Sequence, residues 1–124
     1  MRNIPSLSII IVEDEPLVLL AASHELQDAD FDVIEAGTAD EALKILETDA
    51  ATIHAIFTDV HMPGAMDGIQ LAHHVRRHWP HIGLLVASGL SRPHYGDLPL
   101  DCRFVAKPYN LGEVVGHIRE LAGG

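Results

Sequence analysis

The 124-residue chain is long enough for one domain and too short for two, and 48% hydrophobic with 21% charged residues is the composition of a globular protein. Eight Lys and Arg against 18 Asp and Glu leave a formal net charge of -10, a field that repels nucleic acid and anionic membranes and excludes both as main partners. The lone Cys102 excludes an intrachain disulfide or a cysteine zinc cage, no apolar run approaches membrane-spanning length, and Glu13, Asp14 and Glu15 cut the first apolar stretch too early for a signal peptide. One cytoplasmic domain over residues 1–124, with its core at about 7–121, is expected.

Leu7 to Val12 is short, Ile-rich and closed by acids, as suits a strand buried on both faces. Pro16 stands where a helix tolerates proline best, behind Asp14 as the expected N-cap, and the helix is predicted to run to about Ala29. Asp30 occupies an exit position that calls for the left-handed conformation, which Asp adopts at some cost. Asp32 to Ala36 reads as a second strand. Thr38 caps a helix whose Ala39, Ala42, Leu43 and Leu46 recur at helical spacing.

Ile53 to Thr58 is predicted as a third strand ending at Asp59. A loop with Pro63 and Gly64 leads to Asp67, the cap of a helix from Gly68 to about His78. Ile82 to Ala87 reads as a fourth strand, stopped by Ser88-Gly89. Pro93 and Pro99 leave little room for helix between Leu90 and Arg103. Phe104 to Ala106 is a short fifth strand, Lys107-Pro108 ends it, and Asn110 caps a last helix striped by Leu111, Val114, Val115, Ile118 and Leu121. Five strands alternating with helices predict an α/β fold, a parallel sheet with helices on both faces.

Ligands of such sheets sit beyond the carboxyl ends of the strands. Glu13 and Asp14, Asp59, Ser88 and Lys107 stand at those ends. Three converging carboxylates are costly unless a cation offsets them, and oxygen ligands without a preformed cage favour Mg²⁺. With such an ion, Asp59 can serve as nucleophile toward phosphorus while Ser88 and Lys107 hold phosphoryl oxygens.

Glu13-Asp14, Asp59-Val60-His61-Met62-Pro63-Gly64, Met66-Asp67-Gly68, Ser88-Gly89 and Lys107-Pro108, in register over nearly the whole chain, resemble a response-regulator receiver domain. The resemblance implies a flavodoxin-like doubly wound sheet of order 2-1-3-4-5, with the fourth helix short or irregular here. It implies that Asp59 accepts a phosphoryl group from a histidine kinase or histidine phosphotransferase. Glu13, Asp14, Asp59 and the backbone carbonyl of His61 would then bind Mg²⁺, and Ser88 and Lys107 would hold the phosphoryl group. Phe104, otherwise a core aromatic, would switch rotamer with Ser88 to signal to a downstream protein or an attached output region.

A phosphorylation-independent binding module is the alternative reading. A small Mg-dependent phosphohydrolase is disfavoured because His61 stands where a second acid would be needed. A nucleotide or flavin site is disfavoured because no glycine-rich phosphate loop occurs. His74 and His78 have the i, i+4 spacing of metal-binding pairs, but no third ligand is evident in the sequence, so they read as solvated helix-face residues.

Overall fold

The computed structural model describes residues 6–89 and 97–123. In chain order these form β1 (Ser8–Val12), α1 (Pro16–Asp28), β2 (Asp32–Ala36), α2 (Ala39–Asp49), a single 3-10 turn (Ala50–Thr52), β3 (Ile53–Asp59), α3 (Gly68–His78), β4 (Gly83–Ser88), β5 (Cys102–Ala106) and α4 (Leu111–Gly123). The five strands make one parallel sheet in the order β2-β1-β3-β4-β5, as expected. Residues 97–101 turn into β5, and the expected short or irregular fourth helix falls largely on residues 90–96, outside the described residues.

Alternate side chains of each strand feed two apolar layers. Ile10, Val12, Ile56, Leu84 and Val86 pack beneath α2 and α3 through Ala42, Leu46, Leu71 and Val75. Ile9, Ile11, Phe57, Leu85 and Val105 pack beneath α1 and α4 through Ala22, Leu26, Val114 and Ile118. The central strands, covered on both faces, are therefore apolar almost throughout, which is why β1, β3 and β4 read as continuous hydrophobic runs.

The turns fix where each strand ends. Thr38 accepts a hydrogen bond from the Glu41 amide, Asn110 from the Glu113 amide, and Asp67 forms a reciprocal capping box with Gln70. Asp30 adopts φ 74°, the left-handed exit conformation expected of it. The expected cap of α1 is corrected: Glu15 occupies the N-cap position with no side-chain cap bond, because Asp14 is turned to other use at the sheet edge. β4 and β5 are also displaced from expectation, to Gly83–Ser88 and Cys102–Ala106, since pairing of Leu84 with Cys102 through Ser88 with Ala106 sets their limits. Phe104 is half-buried and joins neither apolar layer among the described residues, which corrects its reading as a core aromatic; β5 is an edge strand with a neighbour on one side only.

Ile56 is fully buried at the centre of the sheet, so Ile56→Ala should lower the unfolding free energy by about 3 kcal/mol, measured by urea denaturation.

Candidate functional site

Parallel strands in register deliver their carboxyl ends to one edge. Val12 pairs with Thr58, Asp59 with Ala87 and Ser88 with Ala106, so the residues just beyond β1, β3, β4 and β5 become neighbours. Ligand atoms of Glu13, Asp14 and Asp59 all lie within 4.8 Å of one another. Asp14 is exposed, while Glu13 and Asp59 are only 6% and 8% exposed. The expected trio is thus brought together, with one open flank.

Asp59 is held by two bonds from opposite sides. Lys107 Nζ donates to Oδ2 at 2.5 Å, and the backbone amide of His61 donates to Oδ1 at 3.3 Å. Glu13 Oε2 accepts from the Glu15 amide at 3.1 Å, which aims its carboxyl across the mouth of the site. Burial raises the Glu13 pKa above the ordinary 4.5; the Glu15 amide opposes this, and the charge of Asp59 adds to it. Burial works against the charge on Lys107, but the hydrogen bond and charge of Asp59, with Glu13, outweigh it and raise the pKa above 10.5.

Ser88 is buried at 4% exposure, one pair beyond Asp59's partner Ala87, and its carbonyl accepts from the Lys107 amide at 3.0 Å. Lys107 is thereby fixed to the end of β4 while its ammonium reaches β3. His61 is exposed on the loop after β3. Phe104 lies two residues before Ala106 on β5, opposite Val86.

Two contributors escaped the sequence reading. Gly68 begins α3 directly under the end of β3, and a Cβ there would lie 2.0 Å from the Asp59 carbonyl oxygen. Its amide donates to the Val60 carbonyl at 2.9 Å, so the absent side chain lets the helix close on the Asp59 backbone. The Met66-Asp67-Gly68 motif carried that signal, though only the contact reveals its purpose. Tyr109 packs edge-on against Phe57, with ring centroids 5.6 Å apart, and burial and the nearby Glu13 raise its pKa. With Leu17, Val18, Lys107 and Leu111 it lines a groove of about 650 Å³ formed by α1 and the start of α4.

A doubly wound parallel sheet with three clustered acids and a lysine at its carboxyl edge defines a flavodoxin-like α/β protein. The chain belongs to the response regulator receiver domain family, which matches residues 9–119, and is a receiver domain of two-component signalling systems. It is 31% identical over 119 residues to the sensor kinase CckA of Brucella abortus, covering 94% of this chain and 12% of that protein. It is 27% identical over 90 residues to the transcriptional regulatory protein RcsB of Escherichia coli strain K12, covering 71% and 42%. The chain thus spans less than half the length of these curated relatives. A response regulator receiver protein from Sinorhizobium medicae superposes with a TM-score of 0.88 at 23% identity, covering 96% of each chain. The receiver domain of the hybrid histidine kinase CckA superposes with a TM-score of 0.79 at 29% identity, covering 93% of this chain and 98% of that one.

Because Glu13 is more readily protonated in the fold than in the unfolded chain, its ionisation costs stability that is absent below pH 4.5 and grows as pH rises through the raised folded value. Glu13→Gln should therefore raise the urea midpoint of the metal-free protein at pH 7, and this gain should vanish below pH 4.5. Gly68→Ala should cost about 3 kcal/mol, since the new methyl group meets backbone that cannot step aside; calorimetric unfolding measures it.

Proposed function

We propose that Asp59 is the phosphoacceptor of this receiver, taking its phosphoryl group from a phosphohistidine in a histidine kinase or histidine phosphotransferase, and that the protein is a signalling switch rather than a turnover enzyme. The observation that carries the reading is the Lys107–Asp59 contact inside the Glu13, Asp14 and Asp59 cluster. The three acids fit a hard dication by their oxygen-only chemistry and spacing, and Glu13, Asp14, Asp59 and the His61 carbonyl would hold Mg²⁺. When bound, Mg²⁺ supplies charge neutralisation for the incoming phosphoryl oxygens.

Asp59 Oδ1 and Oδ2 accept from different donors, and the longer, 3.3 Å bond leaves Oδ1 the less engaged of the two. An attack by Oδ1 costs only the long His61 amide bond and leaves the Lys107 pair intact. The phosphorus–nitrogen bond to the donor histidine breaks as the bond from the Asp59 oxygen to phosphorus forms, and the imidazole departs neutral once it has taken up a proton. Lys107 and the Ser88 hydroxyl then hold the phosphoryl oxygens. Ser88 is paired with Ala106 on β5, so its movement is passed sideways toward Phe104, whose half-buried ring changes rotamer and alters the surface offered to a downstream partner or attached output region. The groove beside Lys107, bordered by the 81% exposed Leu17, gives a donor protein an apolar approach to the site. A cytoplasmic location accords with this chemistry, and among the described residues no helix is long and apolar enough to cross a membrane.

Incubation with a small-molecule phosphodonor and Mg²⁺ should give a single phosphoryl adduct by intact mass. Asp59→Asn should give none while keeping its fold, and persistence of the adduct in that variant would refute the assignment. Lys107→Ala should still take up label, but with no phosphorylation-dependent change in amide chemical shifts along β5.

A further inference from the structure

Four of the nine histidines, His73, His74, His78 and His81, cluster at the end of α3 and just beyond it. Two of them secure backbone: His73 Nε2 lies 2.8 Å from the Asp97 carbonyl and His81 Nε2 lies 2.9 Å from that of Ala50. The other two form a pair. His74 and His78 are one helical turn apart and their rings stack, with centroids 4.2 Å apart and planes inclined by 22°.

His78 Nδ1 lies 2.9 Å from the His74 carbonyl oxygen. A carbonyl only accepts, so the hydrogen of the neutral ring is on Nδ1 and the lone pair is on Nε2. Donation of one ring N–H to a backbone carbonyl is the arrangement that orients metal-ligating histidines. We propose that the His74–His78 pair binds a late first-row transition-metal ion, of the Cu²⁺, Ni²⁺ or Zn²⁺ class, at a site apart from the acidic sheet edge.

Neutral imidazole suits these ions and not Mg²⁺. Burial, His78 and Arg77 lower the His74 pKa against the opposing pull of Glu47 on α2, which favours the unprotonated, ligating form of that ring. Glu47 is the acid placed to balance a dication there. Two nitrogens about 3.3 Å apart satisfy a tetrahedral ion with bonds of about 2.0 Å, and the rings must turn out of their stack for both in-plane lone pairs to meet one ion. Among the described residues only Glu13, Asp14 and Asp59 bring three ligating side chains together, so water completes the coordination at the histidine pair. The acids stand beyond the other end of α3, whose 11 residues span about 16 Å.

Trp79, the only tryptophan, is a built-in reporter, with its ring centroid 5.8 Å from those of both histidines. Titration of the wild-type protein with Cu²⁺ at pH 7.5 should quench its fluorescence, with recovery on adding EDTA. His74→Gln and His78→Gln should each weaken the apparent affinity at least about tenfold, the lower end of what loss of even an outer-shell partner costs. Asp59→Asn should leave the quenching unchanged. No quenching in wild type, equal midpoints in the histidine variants, or loss of quenching in Asp59→Asn would each overturn the proposal. Independently of any variant, one equivalent of Zn²⁺ should move the His78 Nε2 resonance of the wild type in nitrogen NMR, and an unmoved resonance would likewise overturn it.

Discussion

Mutual repulsion of three carboxylates is the constraint on which the carboxyl edge of the sheet is built. Ligand atoms within 4.8 Å of one another imply about 3 kcal/mol of repulsion per ionised pair at an effective dielectric near 20. The chain answers this in three ways. Lys107, one of only two lysines, is pinned by its backbone to Ser88 and by its ammonium to Asp59. Glu13 is buried with its carboxyl on the Glu15 amide, where its proton is held more firmly than in water. The remaining charge is left facing an open flank through the exposed Asp14.

That arrangement has a local cost at α1. Thr38, Asp67 and Asn110 cap their helices with side-chain oxygens, whereas α1 starts with Pro16 and no side-chain cap because the acids before it serve the site. The same helix exposes Leu17 and Leu20. Where local rules of helix design are broken, the broken positions thus adjoin the acids and the groove, which is where conflict between stability and function is expected.

Much of this was legible in the sequence because the signals are local. Strand and helix periods gave the alternation, polar residues before apolar stripes marked three caps, and Asp30 marked a left-handed exit. The acids and Lys107 were legible because a parallel sheet sends every strand end to one edge. The failures share a cause, since each depends on partners remote in sequence. Asp14 has two plausible uses, and only the proximity of Asp59 decides between them. The ends of β4 and β5 follow their mutual register, not their own composition. Phe104 looks like core until β5 is known to be an edge strand. Gly68 and Tyr109 act through contacts with residues at 59 and 57 that no periodicity encodes.

The strand order has a consequence for when the site can exist at all. Its acids and lysine come from three widely separated segments, and the Lys107–Asp59 contact alone closes a loop of 48 residues. β1 is inserted between β2 and β3, and β5 is added last at an edge, so the pocket has no local fragment that could form ahead of the whole sheet. A nascent or partly opened chain carries scattered carboxylates with ordinary chemistry and nothing to hold them against one another. Assembly of the acidic cluster with its lysine is therefore tied to completion of the fold, because the last strand carries the chain to Lys107.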